Sequence, residues 1–198
     1  MTDEKRSYRM TRRAESEQQT GQRIVESAVA LHETVGPSRT SISAVAEHAG
    51  VRRSTVYRHF PDEAALFDAC TAHWRQANQP PDLGAWSVIA SSDDRVGVAL
   101  GELYAFYGRT EHMLDNLFRD EEIMPLVKER FAAFRGYFEA ARDTLMAGRG
   151  LRGAARRRTQ AALGHAISFS TWKSLVREQG LSDAEAVTLI RALVAAAA

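Results

Sequence analysis

Apolar residues first recur at helical spacing from Gly21 onward. Ile24, Ala28, Leu31 and Val35 fall on one face of a helix, which Gly36-Pro37 then stops. Ser41 is placed to cap a second, short helix, where Ile42, Val45, Ala46 and Ala49 form the apolar stripe and Gly50 closes it. The next segment, RRSTVYRHF, has Val56 and Phe60 on one side and polar or basic residues elsewhere. After Pro61, Asp62 can cap a longer helix running from Glu63 towards Asn78, which Pro80-Pro81 ends. Residues 1–20 show no helical periodicity and read as a basic arm, disordered or partly helical.

Residues 79–92 are of low helical content and read as a linker. Beyond them the pattern predicts a helix from Ser92 or Asp93 to about Tyr107, a break near Arg109, and a short helix to about Arg119. Helices over 124–146 and 154–178 and a last one from Ser182 complete the chain. No segment has strand character, so the chain is expected to be all-α, with about nine helices. Three regions follow: the arm at 1–20, a unit over 21–78 with its connecting helix, and a helical body over 79–198.

Composition narrows the function classes. Of 198 residues, 44% are hydrophobic and 26% charged, the balance of a globular chain. No apolar run is long enough for a membrane span, and no secretory-type stretch opens the chain, so a cytoplasmic location without membrane contact is expected. A lone cysteine, Cys70, leaves no internal disulfide or cysteine-based zinc site, and reads as a small buried hydrophobe. The histidines lack metal-binding spacing, and no GxSxG elbow accompanies His165 and Ser168. Gly148, Gly150 and Gly153 spell GxGxxG without a preceding strand, and so read as a loop. No catalytic residue, metal or cofactor is expected. Net charge is only +1, but basic residues cluster twice: Lys5, Arg6, Arg9, Arg12 and Arg13 in the arm, and Arg52, Arg53 and Arg58 in the third helix.

Three short amphipathic helices with a glycine between the second and third make a helix-turn-helix pattern. A helix that enters the major groove needs small and polar side chains towards the bases and apolar ones behind. RRSTVYRHF meets that need: Val56 and Phe60 face the protein, leaving Arg53, Ser54, Thr55 and Arg58 for bases or phosphates. Tyr57 and His59 have the reach for phosphate oxygens. Ser41, Ser43 and Arg52 join them as candidate DNA contacts.

Val45, Ala46, Ala49, Gly50, Val51, Thr55, Tyr57, His59, Phe60, Leu66 and Phe67 stand where the TetR family of bacterial transcription regulators has its constrained positions, so this stretch resembles that family. The resemblance implies DNA contacts from Thr55, Tyr57 and His59, with Arg53, Ser54 and Arg58 at the variable positions that set sequence preference. It covers roughly the first third of the chain. Two departures stand out. Arg52 replaces the usual Ser cap of the reading helix and cannot accept from its first amides. Glu63 stands where a phosphate-binding Lys is common, which keeps open a second reading: an all-helical small-molecule-binding protein with weakened or lost DNA recognition.

In the body, aromatic residues recur at helical spacing: Tyr104 and Tyr107, then Phe131, Phe134 and Phe138, then Phe169 and Trp172. Such stripes serve a core. With the polar atoms of His165 and Ser168 and the tyrosine hydroxyls among them, they are also what an apolar ligand pocket uses. The resemblance implies a small effector bound here, which these residues would make mainly apolar or aromatic. The last helix carries a stripe of Ala186, Val187, Ile190, Leu193 and Val194, and the helix before it offers Ile167 and Leu175. The resemblance implies that these pair two copies across a two-fold axis, which would set a palindromic operator in double-stranded DNA.

Overall fold

The computed structural model describes residues 3–198, with side chains at Tyr8 and from Arg12 onward. Its helices are α1 (Asp3–Thr34), α2 (Ile42–His48), α3 (Arg53–His59), α4 (Glu63–Ala77), α5 (Leu83–Ser87), α6 (Ser92–Glu121), α7 (Pro125–Arg130), α8 (Ala132–Met146), α9 (Gly153–Ala166), α10 (Phe169–Lys173) and α11 (Asp183–Ala196). A 3₁₀ turn at Pro37–Arg39 follows α1, and a π-helical turn at Ser174–Glu178 follows α10. No strand occurs among the described residues. The chain forms two compact units, one of Met1–Asn78 with His112–Arg130, the other of Gln79–Glu111 with Phe131–Ala198. Residues 112–130, assigned by sequence to the body, therefore pack with the N-terminal unit.

The first unit is built on α1, α2 and α4. Ile24, Ala28, Ile42, Val45, Val56, Leu66 and Cys70 are buried in one cluster, as their spacing predicts. Helix starts follow their caps: Ser41 Oγ accepts from the Ala44 N–H at 3.1 Å, and Asp62 Oδ1 from the Ala65 N–H at 2.8 Å. Gly50 ends α2 with φ +65°, and the Val51 N–H donates to the Ala46 carbonyl at 2.9 Å.

α1 begins at Asp3, well before the expected Gly21. Residues 12–20 are rich in Arg, Glu, Gln and Ala, strong helix formers that need no apolar stripe. Tyr8 takes the Arg12 guanidinium over its ring at 5.8 Å, and Thr20 Oγ1 donates to the Ser16 carbonyl at 2.8 Å. A helix that is polar all round gives no period to detect.

A polar network fastens the end of α1 to residues 116–120. Asn116 Nδ2 donates to the carbonyls of His32 and Glu33, both at 2.9 Å. Arg119 donates to Asp120 Oδ1, Asn116 Oδ1 and the Val35 carbonyl at 2.8, 2.8 and 2.9 Å. The Ser38 N–H completes the shell of Asp120 at 2.8 Å. Burial favours the protonated acid, but the hydrogen bonds from Arg119 and Ser38 outweigh it and hold the Asp120 carboxyl below its ordinary range. His32 lies beside Phe67 and Cys70, and burial lowers its pKa from 6.5 to about 4, against the attraction of Asp120. Burial likewise pushes the Cys70 thiol up to about 12.

In the second unit α6 is the central helix. The expected break near Arg109 is absent, because the buried stripe Leu100, Leu103, Tyr107 and Thr110 passes straight across it. Gly108 costs such a helix only about 1 kcal/mol. The linker folds into α5, where Asp82 caps the helix through the Gly84 N–H at 2.8 Å and Trp86, fully buried, donates to Glu102 at 2.7 Å. Arg95 is buried, and its guanidinium donates to the carbonyls of Ile89, Thr144 and Ala147.

Two expected long helices are divided. Residues 124–146 become α7 and α8, separated at Phe131, and 154–178 break after α9 at Ile167-Ser168. Ser168 takes an extended conformation, ψ 137°, which turns the carbonyls before it out of the helical ladder. Tyr104 Oη donates to the Ala166 carbonyl at 3.0 Å, Tyr107 Oη to that of Ile167 at 2.5 Å, and Thr171 Oγ1 to that of His165 at 2.6 Å.

Two measurements test this account. At Gly36, φ +93°, a Cβ would fall 2.1 Å from Arg119 Nη2 and 2.7 Å from Asp120 Oδ2, whereas at Gly148, φ +77°, it would meet nothing within 4 Å. Denaturant unfolding should therefore show Gly36→Ala losing about 3 kcal/mol and Gly148→Ala about 1 kcal/mol; equal losses would remove the Arg119 network from the explanation. The second concerns acid. His32 is neutral in the folded chain down to about pH 4 but titrates near 6.5 when unfolded, so its contribution is whole above pH 6.5 and declines as pH falls towards 4. The loss is about 3 kcal/mol, and His32→Gln should flatten that part of the stability profile.

Candidate nucleic-acid interface

Of the α3 residues only Val56 is buried. It is fully enclosed by the first-unit cluster, with half-buried Val51 and Phe60 beside it, and this sets the rotation of the helix. Arg52, Arg53, Ser54, Tyr57 and Arg58 then lie exposed along α3 and its N-cap, Thr55 is half-buried, and Ser41 and Ser43 are exposed at the start of α2. The helix-turn-helix geometry thus brings the predicted contacts onto one stretch of surface, apart from His59.

Arg53 and Tyr57 form a pair. Nη2 of Arg53 donates to Tyr57 Oη at 3.1 Å, and the guanidinium lies over the phenol ring at 5.4 Å. The bond to Tyr57 raises the Arg53 pKa, so the charge is secure at any working pH. Arg52 at the N-cap makes no capping bond, as its chemistry requires, leaving a cation where the helix dipole disfavours one. Arg58 reaches towards Glu17 of α1 at 4.0 Å, a long exposed pair that constrains it little.

His59 departs from expectation. Its Nδ1 lies 3.3 Å from where a Cβ of Gly21 would be, so the ring is packed on α1, and its Nε2 is enclosed without a hydrogen-bond partner among the described residues. Glu63 acquires a structural reason: it stands in the first turn of α4 beside the Asp62 cap, where a carboxylate stabilises the helix start and a lysine would not. Of the arm, Arg12 and Arg13 are exposed on α1, while the side chains of Lys5, Arg6 and Arg9 lie outside the described residues.

In the second unit the structure gathers the predicted aromatic residues into one connected cluster. Tyr107 is at its centre, with ring centroids 5.5 Å from Phe169, 5.9 Å from Trp172 and 6.4 Å from Phe138. Phe134 joins Phe138 and Phe131, each at 4.8 Å. Tyr104, Tyr107 and Trp172 are fully buried, whereas Phe134 and Phe138 are half-buried. The polar atoms differ from expectation. The Tyr104 and Tyr107 hydroxyls are engaged with backbone carbonyls, exposed His165 turns to Thr171 at 3.2 Å, and Ser168 bonds Ser170 at 2.7 Å. Burial raises the pKa of both tyrosines, Tyr107 most strongly, so both remain neutral donors.

The residues predicted for pairing of copies divide likewise. Ile167, Ile190 and Val194 are buried within the chain's own second unit, and Leu175 and Val187 are half-buried. Leu193 is 54% exposed, and Leu189, which the stripe did not include, is 42% exposed on the same side of α11. The apolar stripe is broad enough to serve two surfaces, and spacing alone did not separate them.

An all-helical chain whose first unit holds a short, basic, largely exposed helix behind a glycine turn is a helix-turn-helix protein. Residues 24–70 match the profile of the bacterial regulatory proteins of the tetR family. The whole chain is similar in fold to three solved structures. A Clostridium perfringens protein described as a fatty acid metabolism regulator superposes with a TM-score of 0.65 at 14% identity, over 89% of this chain and 98% of that one. A protein described as a TetR-family transcriptional regulator from Mesorhizobium loti gives 0.62 at 19% identity, over 91% and 96%. A TetR transcription regulator from Haloarcula marismortui gives 0.58 at 13% identity, over 91% and 97%. No curated protein sequence matches the chain. The match over residues 24–70 supports a DNA-binding regulator, and the chain shares its fold with these structures.

The Arg53–Tyr57 pair makes a prediction that independent contacts would not. In a double-mutant cycle on DNA affinity, Arg53→Ala and Tyr57→Phe should be non-additive by about 1 kcal/mol; additive losses would mean that the pair separates when DNA binds.

Proposed function

We propose that the protein is a homodimeric, ligand-responsive repressor that acts in the cytoplasm on a palindromic operator. The observation that carries the reading is the α3 surface: Arg52, Arg53, Ser54, Tyr57 and Arg58 exposed in one row, fixed from behind by Val56. A row of this kind matches the major groove, with phosphate contacts fixing position and Arg53 reading a base edge. Leu189 and Leu193 support self-association, since exposed leucines one helical turn apart on the last helix suit an isologous contact. Two copies related by a two-fold axis present two reading helices to half-sites about one turn of DNA, roughly 34–36 Å, apart.

The effector in this reading is small and mainly apolar or aromatic. It enters the aromatic cluster from the side of half-buried Phe134 and Phe138, where ring surface is accessible, rather than at the engaged tyrosine hydroxyls. Its binding releases DNA to the extent that it favours the conformation which fits the operator less well.

Binding to DNA from upstream of the gene, titrated with salt against random competitor, tests the regulator. Saturable, competitor-resistant binding that weakens steeply with salt is expected, because phosphate contacts release counterions; salt-insensitive or absent binding to selected random sequences would overturn it. For the dimer, Leu193→Arg should halve the mass in solution and leave the helical signal intact, whereas Ile190→Arg, at a buried position, should unfold the second unit. An unchanged mass for Leu193→Arg would remove α11 from the interface.

A further inference from the structure

α11 has a third side, neither buried nor leucine-rich. Thr188, Arg191, Ala192 and Ala195 face a groove of about 300 Å³, completed by Val194 and by Asp93 and Val96 of α6. This volume lies at the small end of ligand sites.

The polar groups around the groove are not equally satisfied. Thr188 Oγ1 donates to the Ala184 carbonyl at 2.9 Å, and Asp93 Oδ1 accepts from Arg149 at 3.3 Å. Arg191 is different. Its Nη2 lies 3.8 Å from Asp94 Oδ1, beyond hydrogen-bond distance, and among the described residues its guanidinium donates no hydrogen bond. Asp94 is widely exposed, so water competes for this pair. The guanidinium lies against α6 where Gly97 has no side chain: a Cβ there would come 3.2 Å from Arg191 Cζ and Nη1. A flat set of unused donors beside an apolar floor is thus held open by the absence of a methyl group.

We propose that this groove binds a small monocarboxylate, the carboxylate paired side-on with Arg191 and the short apolar body laid on Ala192 and Ala195. A planar carboxylate accepts two parallel N–H bonds from an arginine, a geometry that the long Asp94 contact does not supply. Asp93, already engaged by Arg149, leaves Arg191 as the group to be satisfied. The site is separate from the aromatic cluster and does not depend on the operator or dimer readings.

Titration of the full chain with hexanoate, followed by calorimetry, tests the proposal against hexanamide, which has the same shape without the charge. Saturable hexanoate binding, about tenfold tighter than hexanamide, is expected, and Arg191→Gln should abolish the difference while the helical signal stays intact. Gly97→Val, which displaces the guanidinium, should weaken hexanoate alone. Equal binding of acid and amide, no hexanoate binding, or hexanoate binding unchanged in Arg191→Gln would each overturn it. So would absent hexanoate binding together with a mass in solution altered by Arg191→Gln, which would assign the groove to contact between copies.

Discussion

A helix as short as α3, seven residues, does not persist alone in water, because nucleation fixes several residues for few hydrogen bonds. Its existence rests on Val56, whose burial against the α1, α2 and α4 cluster supplies the packing that local bonds cannot. The cluster in turn depends on the Gly50 turn, which sets the angle between α2 and α3, and on the Asp62 cap, which starts α4 beside it. Because one side chain holds the helix from behind, the remaining positions are released from packing and can carry charge. Arg52 shows the cost of that freedom: a cation at an uncapped helix start is tolerated in a unit whose stability is secured elsewhere, notably in the Asn116–Arg119–Asp120 network at the end of α1.

The second unit solves a different problem. Ser168 breaks what the sequence suggests is one helix, and each broken turn leaves carbonyls that must find donors. Tyr104 and Tyr107 provide them from α6, and Arg95 does the same for the end of α8. These polar atoms among apolar neighbours therefore serve the backbone first. Residue types suited to orienting a ligand are also those suited to repairing a helix break, and only the partner of each hydroxyl distinguishes the two uses.

Much of the first unit could be read from the sequence because its signals are local: apolar spacing, Ser41 and Asp62 as caps, Gly50 as a stop. For residues 12–20 the sequence left disorder and partial helix both open, since a polar helix has no stripe, although its composition of helix formers was visible. The continuity of α6 was also available in the spacing of Leu103, Tyr107 and Thr110, but Gly108-Arg109 looked like a break. The break at Ser168 was not legible, as it is sustained by hydroxyls some sixty residues away in the chain. For the candidate interface, residue identity placed Arg53, Ser54 and Tyr57 on the surface correctly, while the packing of His59 on Gly21 joins residues that no local pattern connects. On α11 the sequence found the apolar stripe but could not divide its inner face, Ile190 and Val194, from the outward Leu189 and Leu193.

The burial of Cys70 has a practical side. Burial pushes its pKa up to about 12, so the thiol stays protonated at neutral pH, and it is shielded from solvent besides. The chain is thus almost silent towards thiol-directed reagents as it stands. A cysteine introduced at Ser54 or at Ala192 would be the single reactive handle in the molecule, so a fluorophore or spin label could be attached there without first removing the native residue, and the motion of that helix could be followed in the otherwise unaltered protein.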